Sequence, residues 1–111
     1  MITQFLNVPS KPKIYVCLPP PMVCNFNTDE DVQRFNNNII PALKNVVFNF
    51  NQQGINIKII NVNGALLDIV GNSNLNLKYS DYSNYYNDCV HPNKNGNLII
   101  ANTVYQAITT N

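Results

Sequence analysis

Charge is in short supply in this sequence. Only 12% of the 111 residues are charged, and the net charge is +1. There is no basic stretch, which argues against the electrostatic footprint that nucleic-acid-binding proteins present to phosphates. No apolar run approaches the length of a bilayer span, so no membrane partner is expected. The opening Met1-Ile2-Thr3-Gln4-Phe5 lacks the basic segment and apolar core of a signal peptide. There is no Asn-x-Ser/Thr acceptor and no internal repeat. Cysteine is scarce and odd in number: Cys17, Cys24 and Cys89, without Cys-x-x-Cys spacing. Neither a disulfide framework nor a zinc knuckle is expected from that pattern. Histidine occurs once, at His91, and there is no Gly-Asp-Ser tripeptide.

What is present describes a globular chain. The hydrophobic fraction is 45%, ordinary for a folded protein, and the length fits one domain. Asparagine is the outlier, with 22 residues including Asn36-Asn37-Asn38. These alternate with well-patterned apolar residues, so they read as compositional drift at exposed positions rather than as a prion-like segment.

Lys13-Ile14-Tyr15-Val16-Cys17-Leu18 is a continuous apolar, β-prone run, closed by Pro19-Pro20-Pro21, which cannot donate to a ladder. An apolar run without alternation suits a strand of a parallel sheet. Thr28-Asp29-Glu30-Asp31 reads as a helix start, with Thr28 as cap and the acids at the positive end of the dipole, rather than as a metal site. Val32, Phe35, Ile39, Leu43, Val46, Val47 and Phe50 describe one helix face, interrupted at Pro41, which should kink the helix or restart it. Gly54 is the expected stop. Residues 56–62 form a second strand, and the βαβ spacing predicts that it lies parallel to the first. Residues 65–70 read as a short helical turn and residues 71–90 as a long, tyrosine-rich loop. Asn93 caps a last helix, over about 94–109, with Ile100, Ala101, Val104, Tyr105 and Ile108 as its apolar face. The order is β-α-β-loop-α. Two strands make a sheet with two open edges, which predicts further strands elsewhere or self-association through an edge.

The chemistry concentrates in Asp88-Cys89-Val90-His91-Pro92-Asn93-Lys94-Asn95-Gly96. A carboxylate three residues before a histidine, in a loop leading to a helix, can fold back and fix the ring's tautomer. Such a histidine can serve as general base for a serine hydroxyl. A surface Asp-His pair at a helix start is the plainer reading of the same residues. Cys89 lies two residues from His91, where side chains usually point apart, so it reads as a partly buried structural cysteine rather than a nucleophile. Tyr79, Tyr82, Tyr85 and Tyr86 read equally as a stacking rim for substrate or as pins for a long loop. Pro20 and Pro21 should lie at the carboxyl end of the first strand, where open α/β sheets bind ligands. They serve equally well as a strand terminator.

Asp-x-x-His-Pro-Asn followed by Gly96 and a C-terminal amphipathic helix resembles the last sequence block of the SGNH (GDSL-like) hydrolases. Residues 9–21 look like the strand and proline turn of sialate O-acetylesterase-like members. Ile39-Ile40-Pro41-Ala42-Leu43-Lys44 and residues 59–66 are similar to the helix and following strand of that branch. The resemblance runs from about residue 3 to residue 109. It implies the C-terminal part of a flavodoxin-like α/β/α sandwich within a single, incomplete domain, and hydrolysis of small-molecule or carbohydrate esters without a cofactor. It carries Asp88 and His91 over as triad acid and base. Pro20, Pro21, Tyr85 and Tyr86 are expected substrate contacts on their own position and chemistry. The resemblance carries over no nucleophile, since Ser10, Ser73, Ser80 and Ser83 do not occupy the family's serine context. The family usually has glycine where this chain has Cys89. The alternative is a non-catalytic binding module or pseudoenzyme of the same descent.

Overall fold

Two short strands pair in parallel: β1 (Ile14–Cys17) and β2 (Ile57–Ile60), with Ile14 opposite Ile57 and Cys17 opposite Ile60. The computed structural model describes residues 2, 4, 13–71 and 76–110. Ser10, Ser73 and residues 9–12 of the resemblance therefore lie outside the described residues. The described chain is mixed α/β, and its sheet has these two strands. The ladder ends where Leu18 donates to the Ile60 carbonyl at 3.0 Å, because the three prolines that follow have no N–H to continue it.

The crossover is helical. It runs as α1 (Asp31–Arg34), a π-helical turn (Phe35–Ile39) and α2 (Ile40–Gln52). Pro41 sits in the first turn of α2, where a missing N–H leaves fewer intrahelical bonds unmade. The wider π turn before it lets the helix run on without a break. That turn also adds a residue to the face, so Ile40 is buried where Ile39 was expected, and Val32 and Val47 flank it. Gly54, at φ +85°, ends the helix. Its N–H reaches the Asn51 carbonyl and the Ile55 N–H reaches Phe50, the paired bonds of a Schellman stop. Thr28 is not the helix cap: it lies in the loop, with its hydroxyl on Asp31.

β2 stops earlier than expected. Asn61 turns the chain and its side chain accepts the Gly64 N–H at 2.8 Å, so α3 spans Val62–Val70. The long loop contains a short helix, α4 (Tyr79–Tyr82), and Asn93 caps α5 (Lys94–Thr109) as expected. The main core joins Val23, Cys24, Ile60, Val62, Leu66, Val70, Tyr82 and Tyr86, flanked by Ile99, Ile100, Val104 and Ala107 of α5. Tyr105 and Ile108, expected on that face, are exposed. No described helix is long and apolar enough to cross a membrane.

Candidate functional site

The site forms where the chain leaves β1. The segment after the strand is fastened from three directions. Asn63 donates its side-chain amide to the Pro19 carbonyl at 3.2 Å, Tyr86 donates its hydroxyl to the Pro21 carbonyl at 2.7 Å, and the Val23 N–H reaches the Cys89 carbonyl at 3.0 Å. A disulfide between Cys24 and Cys89 then ties this segment to the histidine loop. The expectation of unpaired cysteines is thereby corrected. The fold brings together two sulfurs far apart in sequence, which spacing alone could not show. Cys89 has no thiol to act as a nucleophile. Among the described residues Cys17 is the free cysteine, and it is exposed.

The histidine loop is closed at its base. Tyr86 and Pro92 bridge antiparallel, the Asn87 N–H bonds the His91 carbonyl at 2.9 Å, and the Asn93 N–H bonds the Tyr85 carbonyl at 2.8 Å. Asn93 accepts the Gly96 N–H at 3.1 Å and donates to the Ser83 carbonyl at 3.0 Å. Gly96 is buried against this loop, and a Cβ there would strike the Tyr85 carbonyl oxygen.

Within the loop, Asp88 folds back on its own chain. Its Oδ1 accepts the Val90 and His91 N–H groups at 2.8 and 2.7 Å. The carboxylate meets His91 Nδ1 at 2.9 Å from Oδ2 and 3.1 Å from Oδ1. The Val90 N–H above all, then the imidazole, holds the Asp88 carboxyl below its ordinary range. A carboxylate in that state only accepts, so Nδ1 is the donor of the pair, and in the neutral ring Nε2 is the nitrogen that can accept. Nε2 makes no hydrogen bond to the described residues, and is positioned to take a proton from a hydroxyl brought to it. Cys89, beside Asp88 in the loop and bonded to Cys24, does not prevent this alignment. The two side chains are 74% and 55% exposed for His91 and Asp88 respectively.

A recess of about 240 Å³ opens beside the pair, lined by Phe26, Asp88, Cys89, Val90 and His91. A larger one of about 440 Å³ lies at the opposite end of the strands, among Lys13, Ile14, Tyr15, Asn56 and Lys58. Parallel α/β sheets place ligands at the carboxyl ends of strands, so we take the smaller recess as the site.

The expected substrate contacts are mostly scaffold. Tyr86 is 1% exposed and Pro21 is buried with it. Burial also pushes the Tyr86 hydroxyl's pKa up, so it stays a donor to Pro21. Neither can offer a face to a ligand, because both are spent on holding the two loops together. Pro20 and Tyr85 are half-buried and do not line the recess. No described serine lines it either. Phe26 and Val90 do, and sequence reasoning passed over both. The available signal was an apolar residue between Asn25 and Asn27, where a polar loop has no core to bury it. Among the described residues no group of three or more His, Cys, Asp or Glu side chains could hold a metal ion. Comparison with protein-family models, curated proteins and solved structures finds no match.

Proposed function

We propose that this chain supplies the acid and base of a serine ester hydrolase of the SGNH type, acting on small-molecule or carbohydrate esters in the manner of the sialate O-acetylesterase-like branch. The observation that carries the reading is the Asp88 carboxylate on His91 Nδ1, with Nε2 free, at the carboxyl end of two parallel strands. In this reading the complete domain is a flavodoxin-like α/β/α sandwich. The serine of a Gly-Asp-Ser strand and the oxyanion donors come from residues other than these. Nε2 takes the serine proton as Oγ attacks the ester carbonyl, and Asp88 stabilises the imidazolium. The imidazolium then returns the proton to the departing alcohol.

The test joins this chain to a segment bearing the Gly-Asp-Ser strand and oxyanion residues of an SGNH hydrolase. Saturable hydrolysis of aryl acetates should appear, and both Asp88→Ala and His91→Ala should abolish it. The 111-residue chain alone should be no faster than free imidazole, since a single oxyanion donor is worth about a hundredfold or more. Turnover that survives His91→Ala would place the chemistry elsewhere.

The exposure of the pair and the lack of a described serine beside it favour a second reading, a non-catalytic module that keeps an Asp-His pair as a relic. A joined protein that folds without gaining activity would select that reading.

A further inference from the structure

Phe26 combines two properties that rarely coincide: its ring is 66% exposed, and the loop that carries it is tightly fastened. Asp31 Oδ2 accepts the N–H groups of Phe26, Asn27 and Thr28 at 2.9, 2.6 and 2.9 Å. Asn25 accepts the Val32 N–H and donates to the Asp29 carbonyl, both at 2.9 Å, and its own N–H reaches Asn76 Oδ1 at 2.8 Å. Two residues before Phe26, the Cys24–Cys89 disulfide anchors the loop next to His91. A loop held this way presents its ring to a ligand with little further cost in ordering the backbone.

The ring borders two recesses. One is the His91 recess. The other, about 200 Å³, is lined by Phe26 together with Asn25, Asn27, Thr28, Asp29 and Asn76. Within the second, the side chains of Asn27 and Asp29 make no hydrogen bond to other described residues, and toward the described residues Asn76 uses only its Oδ1. Together they offer amide donors, an amide acceptor and a carboxylate. Hydroxyl groups, which both donate and accept, complement that set. An apolar ring face beside such groups suits a molecule with C–H bonds on one side and hydroxyls around its rim.

We propose that the Phe26 loop binds the alcohol part of the ester, a pyranose ring stacked on Phe26 with its hydroxyls held by Asn27, Asp29 and Asn76. The proposal rests on the Asp88–His91 reading, since it places the sugar on one side of His91 and the acyl group against Val90. Phe26 acts here in binding, not in proton transfer.

The test titrates the isotope-labelled 111-residue chain with an O-acetylated methyl glucoside, following the Phe26 ring, the Asn76 amide and the His91 imidazole by NMR. All three should shift together with one Kd. Phe26→Ala should weaken that Kd about three- to tenfold while Phe26→Tyr keeps it, and unchanged backbone shifts elsewhere would show that both variants fold. A response at Phe26 and Asn76 with His91 silent upholds the sugar site and counts against the hydrolytic reading. A response at His91 alone, with the same Kd in Phe26→Ala, overturns the sugar site and leaves the hydrolytic reading standing. No saturable shift at any of the three also overturns it.

Discussion

Asp31 and Asp88 are carboxylates that turn back on their own backbone. Asp31 gathers the N–H groups of one loop and Asp88 those of the other, and both are held below the ordinary carboxylate range, Asp31 chiefly by the Thr28 N–H. A depressed acid stabilises the fold above its unfolded pKa of about 4, and that contribution is lost as the pH falls through the folded value. Wild type should therefore melt higher than Asp31→Asn at about pH 6, and the gap should narrow as the pH drops below about 4. Melting curves across a pH series check this, and a gap that ignores pH would mean that the charge contributes nothing. Asp88 governs a different observable. With the carboxylate in place, the Nδ1–H tautomer of His91 should dominate. Asp88→Asn should shift the population towards Nε2–H, as read from the imidazole nitrogen shifts.

Between elements, the Cys24–Cys89 disulfide closes a loop with a sequence separation of 65. In the chain-entropy account, a loop of that length stabilises by about 4 kcal/mol. The Cys24→Ala/Cys89→Ala double variant should lose much of that in urea unfolding, and its Phe26 and His91 signals should broaden as the two loops separate. A loss below about 1 kcal/mol would show that the Val23, Tyr86 and Asn63 hydrogen bonds alone hold the loops. Several of these elements could be read from sequence because local chemistry fixes them. The parallel strands follow from apolar runs and crossover length, the Gly54 stop from a glycine placed after the apolar helix face, and the α5 start from asparagine as a preferred cap. Asp88 and His91 could be read because three residues of one loop suffice to bring them together. The disulfide, the burial of Tyr86 and the exposed Phe26 could not, because each depends on where the β1 exit meets the histidine loop. The shift from Ile39 to Ile40 was hidden for another reason: a π turn changes the helical period that the apolar pattern assumes.

The described helices leave apolar residues exposed in a pattern. Leu98, Tyr105 and Ile108 recur at helical spacing along the outer side of α5, and Val46 and Phe48 are exposed on α2. The sheet is asymmetric as well. Asn51 accepts the Ile57 N–H at 2.9 Å and donates to the Ile57 carbonyl at 3.2 Å, occupying the first pair of outward backbone groups a further strand would meet beside β2. Further strands, whether from a second copy or from a Gly-Asp-Ser segment, are therefore expected alongside β1. The isolated chain should bind apolar dyes or dimerise. A joined Gly-Asp-Ser segment should raise its melting temperature and bring the serine within reach of His91 through the same sheet contacts. Cys17, exposed at the end of β1, reports which edge is used. Its alkylation should slow at least about tenfold in the joined protein, since a strand paired there limits opening to local unfolding. Unchanged Cys17 reactivity in an active joined protein would move the contact to the β2 side. A strictly monomeric chain that melts sharply and binds no dye would instead describe a self-sufficient module, and would leave the Asp88–His91 pair without a partner to serve.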